Sequence, residues 1–245
     1  MYSLFCALAA FSAVLVPITY KFQLSYALLP AGAALIGTYI VLARRHSKGV
    51  EALMAKMQSE VQQNRIDNAI RVLETAYEHA KWVFLLRGQI DGQIGSLHFM
   101  NKNFDAARPL LEKAWIKHWV AKGMLAAYWF RKHKPDQAFD VLDKAIAANK
   151  KEAMLYGIKA FMKVRLKDRE GARVVLIAAK KKAPKNEAIV ENLVRLQNGQ
   201  DLRMWQFGEA WWNFHLEKPS QKTVMKMAGV KNQVGAKGAK KSMYR

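Results

Sequence analysis

Two uninterrupted apolar runs open the chain, and a helical rhythm of apolar positions follows them. The runs cover residues 2–20 and 22–43, and Lys21 is the single charged side chain between Met1 and Ala43. Each is close to the ~20 residues that cross ~30 Å of hydrocarbon at about 1.5 Å per residue. Neither carries the polar stripe of a soluble surface helix. The pattern predicts a transmembrane helical hairpin in residues 1–46, with helices at about 2–20 and 22–43 joined by a tight loop at 19–23. Small residues (Ala9, Ala10, Ala13, Ala33, Gly37) allow the two backbones to approach closely. Pro30 is expected to kink the second helix and Pro17 to fall near the end of the first. A cleaved secretory signal competes for the first run. Against it, no Lys or Arg precedes the run and no small-x-small site leads into Lys21.

From residue 50 to about 184 the apolar spacing is helical and strand signals are absent. A half-motif, Ala-x3-Leu-x2-Ala, recurs as Ala69, Leu73, Ala76; as Ala107, Leu111, Ala114; as Ala138, Leu142, Ala145; and as Ala172, Leu176, Ala179. The first alanines are 38, 31 and 34 residues apart. Each triplet follows a turn-like segment (Asn64-Arg65-Ile66-Asp67, Lys102-Asn103-Phe104-Asp105, Lys134-Pro135-Asp136, Lys167-Asp168-Arg169-Glu170). Asp67, Asp105 and Asp136 suit a helix start, as caps or as charge at its positive end. Alanine fits where two helices cross closely, and leucine fills the groove between them. A series near a period of 34 reads as a repeat array.

The array resembles the tetratricopeptide repeat (TPR), a helix–turn–helix unit of 34 residues. The first-helix half of that signature is partly kept: Ile94-Gly95-x2-His98 precedes Ala107, and Leu125-Ala126-x2-Trp129 precedes Ala138. The fourth repeat has Tyr156, Ala160 and a closing Pro184. The first repeat matches only in its second helix. The resemblance covers residues 50–186 and implies an all-α fold, an α-solenoid of about four repeats behind the hairpin. It also implies that the first helix of each repeat lines a concave binding face. The motif's register places Gln89, Ser96 and Phe99 on that face, then Gly123, Ala127, Phe130 and Arg131, then Met154, Phe161 and Arg165. Arg131 and Arg165, from successive repeats and beside aromatics, suit an acidic or carboxyl-terminal peptide. The plainer alternative is that both arginines end helices, where cations are favoured anyway.

Residues 187–217 follow as an amphipathic helix to cap the solenoid and an aromatic-rich segment with Trp205, Phe207, Trp211, Trp212 and Phe214. That segment could fold back as a final cap, dock a partner, or lie on a bilayer with its tryptophans at headgroup level. On the last reading Trp205, Trp211 and Trp212 join Arg44, Arg45 and Lys48 as membrane-surface residues. Residues 218–245 hold eight basic residues, no acidic one and few large apolars, and are expected to be disordered. Anionic lipid would attract this tail. Nucleic acid is the less favoured partner, because interleaved aromatics and Arg-rich readout elements are lacking.

Charge alters this picture mainly by orientation. The net charge is +21, and all nineteen acidic residues lie between Glu51 and Glu217. Arg44, Arg45 and Lys48 follow the second apolar run, so the positive-inside rule places the body in the cytoplasm, as in an integral protein of a bacterial inner membrane. The single cysteine, Cys6, excludes an internal disulfide and a Cys-based metal site. The six histidines form no ligand cluster. Gly88, Gly92 and Gly95 lack the Lys-Ser/Thr of a phosphate loop and read as packing positions. No catalytic residue, metal, cofactor or small-molecule substrate is expected. Together these features describe a membrane-anchored TPR scaffold that holds a protein or peptide partner. The rival is a membrane-tethered basic protein binding nucleic acid or anionic lipid through its tail.

Overall fold

Alanine and leucine recur in the chain because helices cross there. All twelve residues of the four Ala-x3-Leu-x2-Ala triplets are buried in the computed structural model, eleven of them with at most 1% of their surface exposed. The structure describes residues 2–21, 24–83 and 85–219. Among these the chain is all-α, with no strand. In order come α1 (Tyr2–Lys21), α2 (Leu24–Gln62), α3 (Ile66–Thr75), α4 (Tyr77–Ala80), α5 (Leu86–Met100), α6 (Phe104–Lys113), α7 (Trp119–Arg131), α8 (Pro135–Ala148), α9 (Ala153–Arg165), α10 (Arg169–Lys182) and α11 (Glu187–Gln197). Two 3-10 turns follow, Met204–Phe207 and Glu209–Phe214.

The repeat is also written in the backbone. After each of α2, α5, α7, α9 and α11 one residue turns left-handed: Asn64, Lys102, His133, Lys167 and Gly199. At each, two amide N–H groups reach back to carbonyls of the last helical turn, for example Asn64 to Val61 and Arg65 to Glu60. This is the Schellman closure, which satisfies carbonyls that a helix end leaves open. The first four of these residues are separated by 38, 31 and 34, matching the alanines. Four of the five are not glycine, although a left-handed residue with a Cβ costs about 1–2 kcal/mol. Asp67, Asp105 and Asp136 lie in the first turns of α3, α6 and α8 without acting as caps. Their role is charge at the positive helix end. Asp168 and Asn186 do cap, accepting from the N–H groups of Gly171 and Ile189.

The chain forms two compact units, Met1–Lys122 and Gly123–Arg245. In the first, α1 packs along α2, and the C-terminal part of α2 packs on α3. The leading helix of the first repeat, which the sequence motif leaves unassigned, is thus the end of α2. The apolar run and the repeat body share one unbroken helix, with no joint near residues 44–50. Among the described residues, one helix, Leu28–Gln62, is long and apolar enough to cross a membrane. The apolar part of α1, Tyr2–Pro17, is shorter than that. The expected pair of equal spans is therefore seen only as one candidate span with a shorter apolar helix packed on it. The tip of the hairpin at Phe22 and Gln23, and residues 220–245 of the basic tail, lie outside the described residues.

The core of the first unit joins Val50, Ile70, Leu73, Ile90, Ile94 and Leu97. A Cβ on Gly95 would come within 3.0 Å of Leu110 and Leu111, and one on Gly92 within 3.3 Å of Ala114. Gly95 lets α5 seat against its own partner α6, and Gly92 serves both that packing and the start of the next repeat. Gly92 also faces the imidazole of His118, whose Nδ1 accepts the Ala121 N–H and so caps the start of α7. Beside it, Lys122 donates from Nζ to the Leu111 and Glu112 carbonyls at the end of α6.

Burial, with a smaller contribution from Lys122, holds the His118 imidazole below its ordinary pKa of 6.5. The unfolded chain therefore takes up this proton first. The contribution of His118 to stability is complete above 6.5 and is lost as pH falls toward the folded value. Thermal unfolding followed by circular dichroism should show the midpoint falling on acidification from neutral pH. His118→Asn keeps a capping acceptor without a titrating group, and should flatten that fall. An unchanged slope in the variant would remove His118 as its source.

Candidate peptide-binding face

In the second unit the inner face carries a chain segment already. Residues 200–217 run back over the leading helices and are held in part through their main chain. Arg169 donates to the Gln200 carbonyl at 2.7 Å and Arg195 to the Asp201 carbonyl at 2.8 Å. Asn192, 1% exposed on α11, accepts the Arg203 N–H at 2.6 Å. Its amide donates to the carbonyls of Ala188 and Arg203 and to Gln206. Arg131 reaches the His215 carbonyl at 3.0 Å. Side chains that bond carbonyls and an N–H grip a peptide through features shared by every residue, so this part of the contact does not depend on sequence.

Aromatic side chains supply the selective part. A Cβ on Gly123 of α7 would meet the Phe214 ring at 2.7 Å, and one on Gly157 of α9 would meet the Phe207 ring at 2.8 Å. Gly123 and Gly157 are 34 residues apart, one repeat, and each admits one ring. Between them Trp211 lies edge-on to Phe161, with ring centroids 5.1 Å apart. Trp211 and Phe214 are each 1% exposed. Trp211 donates its indole N–H to Glu217. Desolvation raises that carboxyl above its ordinary range, and the Trp211 donor and nearby Arg165 partly offset this.

The C-terminal edge of this face stays open. A pocket of about 510 Å³ is lined by Phe130, Arg131 and His133 from the end of α7 and its turn, Pro135, Arg165 and Leu166 from the end of α9, and His215 and Leu216. Among the described residues no carboxylate lines it, although that of Glu217 lies near Arg165. The Arg165 guanidinium lies over the Phe161 ring at 5.8 Å, a contact that also orders the side chain. Both arginines sit here because α7 and α9 end in equivalent turns one repeat apart.

The sequence-derived residues separate under this geometry. Phe130, Arg131 and Arg165 meet in the pocket. Phe161 is buried beneath Trp211, and Met154 is buried, so neither offers an open surface. Ser96 and Phe99 do not form an open groove. The Ser96 hydroxyl is buried and donates to the Gly92 carbonyl, while Phe99 is fully buried and edge-on to Phe104. A ring at that helix end is claimed by the start of the next helix. Gln89 is half-buried on α5. Trp211 is not a membrane-surface residue, since it is buried in the folded chain; Trp205 and Trp212 are half-buried. The indole N–H of Trp212 is buried with no acceptor among the described residues. Arg44, Arg45 and Lys48 are exposed on α2. The motif register did not find His133, His215 or Asn192. The glycine pair at repeat spacing was the legible sign that something large enters there.

Compared with protein families, curated proteins and solved structures, the chain matches none of them.

Proposed function

We propose that this chain is a non-enzymatic, membrane-anchored scaffold of TPR type, which captures a protein partner through an acidic or carboxyl-terminal peptide. The observation that carries the reading is the pocket in which Arg131 and Arg165, from successive leading helices, meet with His133 beside apolar walls. Guanidinium groups bind carboxylates in bidentate fashion, and both arginines are exposed to an incoming peptide. The anchor is the hairpin of α1 and α2. Its large apolar side chains point outward, with Phe5 68%, Leu29 83% and Val41 66% exposed, a surface that water alone does not favour. Arg44, Arg45 and Lys48 then set the body in the cytoplasm.

Affinity capture from gently solubilised membranes tests this, comparing intact protein with Arg131→Glu/Arg165→Glu at low and moderate salt. A discrete protein retained at moderate salt and lost from a variant of unchanged helicity supports the scaffold. The rival is polyelectrolyte binding by the tail. It predicts nucleic acid or acidic lipid that dissociates steeply with salt, ignores the arginine variant and disappears when residues 218–245 are deleted.

A further inference from the structure

The open end of the hairpin is fastened to the body. The Tyr2 N–H donates to the Lys81 carbonyl at 2.8 Å, and the Ser3 hydroxyl to the Trp82 carbonyl. The Tyr2 and Trp82 rings pack with centroids 5.3 Å apart. These contacts tie the start of α1 to the connection between α4 and α5.

Helix geometry then fixes the level of that connection. Two residues separate α1 from α2 along the chain, and the helices pack on each other, so α1 runs back along the first half of α2. At about 1.5 Å per residue, Tyr2 lies beside the end of α2's apolar half, where Arg44, Arg45 and Lys48 begin. A second contact agrees. Gly49 faces His79 of α4 so closely that a Cβ would meet the ring at 2.9 Å. The connection thus shares its level with the cations that end the apolar helix.

Its own composition suits that level. Tyr2 and Trp82 are the side chains that favour the boundary between hydrocarbon and headgroups. Lys81 in the connection and Arg87 in the first turn of α5 are exposed. Leu85 is an exposed leucine held at φ 62, a backbone region that bulky side chains rarely enter. Strain spent on presenting an apolar side chain outward points to a use for that side chain.

We infer that the connection carrying Lys81, Trp82 and Leu85 is a second lipid-contact surface, seated in the headgroup layer beside the hairpin. The first repeat is then moored to the bilayer at two places, and its distance from the membrane is set. This rests on the hairpin being membrane-embedded.

Nitroxide depth measurement tests both statements separately. In full-length protein with Cys6→Ser, single cysteines replace Leu8 in α1, Leu85, and Val174 in α10. Each variant is labelled and reconstituted into vesicles of phosphatidylcholine and phosphatidylglycerol, and relaxation by oxygen is compared with relaxation by a water-soluble nickel chelate. The expected order is hydrocarbon at 8, headgroup boundary at 85 and water at 174. Position 85 as water-exposed as 174, with 8 in hydrocarbon, overturns the second contact and leaves the anchor. Position 8 in water overturns both. Should Leu85→Cys fail to fold, a label at the exposed Lys81 of the same connection reads the same layer and decides by the same comparison.

Discussion

Replacing Trp211 by alanine is expected to lower the unfolding free energy by about 3–5 kcal/mol, the range for emptying a large aromatic site in a core. Trp211 is 1% exposed, lies edge-on to Phe161, tilts against Phe214 and donates to Glu217. The leading helices on one side and the folded-back segment on the other leave few ways to refill the space. Chemical denaturation followed by circular dichroism measures the loss. Trp205→Ala serves as comparison, since Trp205 is half-buried and should cost clearly less. If Trp211→Ala cost under about 0.5 kcal/mol, the range of exposed positions, the segment would not be part of the packed core. Cleavage by protease just beyond residue 200 should rise in parallel, because the segment loses its central anchor.

Asn192→Ala is the second large effect, at about 3 kcal/mol. One side-chain amide here serves the Arg203 N–H, two carbonyls and Gln206. Deleting it leaves the Arg203 N–H without its acceptor, and an unsatisfied buried group costs roughly 1–3 kcal/mol before the lost donor bonds are added. Asn192→Asp retains the acceptor but buries a charge and loses both donors, so it should not rescue. The same denaturation and proteolysis measurements apply. Trp211 and Asn192 hold the same segment, so their effects should be less than additive in the double variant. Full additivity would mean that the segment detaches in independent parts.

Both results bear on function, because the segment covers the face on which the TPR resemblance places a ligand. Phe207 and Phe214 occupy the spaces opposite Gly157 and Gly123. What remains open is the charged edge at Arg131 and Arg165. A partner that needs only this edge binds the molecule as it stands, and one that needs the whole face must first displace residues 200–217.

The repeat was legible because burial of a helix face is a local code. Ala69, Leu73 and Ala76 share one side of a helix whatever that side meets, and the same spacing recurs three times more. The two apolar runs were legible for a related reason, since apolarity on every side leaves few environments that suit a helix. Arg131 and Arg165 could be paired because equivalent positions in successive repeats face the same way. The continuity of α2 through Arg44 and Lys48 was hidden, as a cluster of charges reads like a boundary although helix propensity runs straight through it.

Sequence by itself determined the helical class, the repeat-like spacing and the two apolar runs, and it offered the arginine pair as a candidate, because all of these follow from spacings within a few turns or one period. Only the tertiary structure decided that Trp211 and Phe214 are core, that Asn192 grips a returning main chain, and that Tyr2 is tied to Trp82 across the length of a hairpin and the first repeat. Those contacts join residues many turns apart. No local periodicity encodes them, and they form because the packed helices leave shaped space, at Gly123 and Gly157, that only a distant part of the chain can fill.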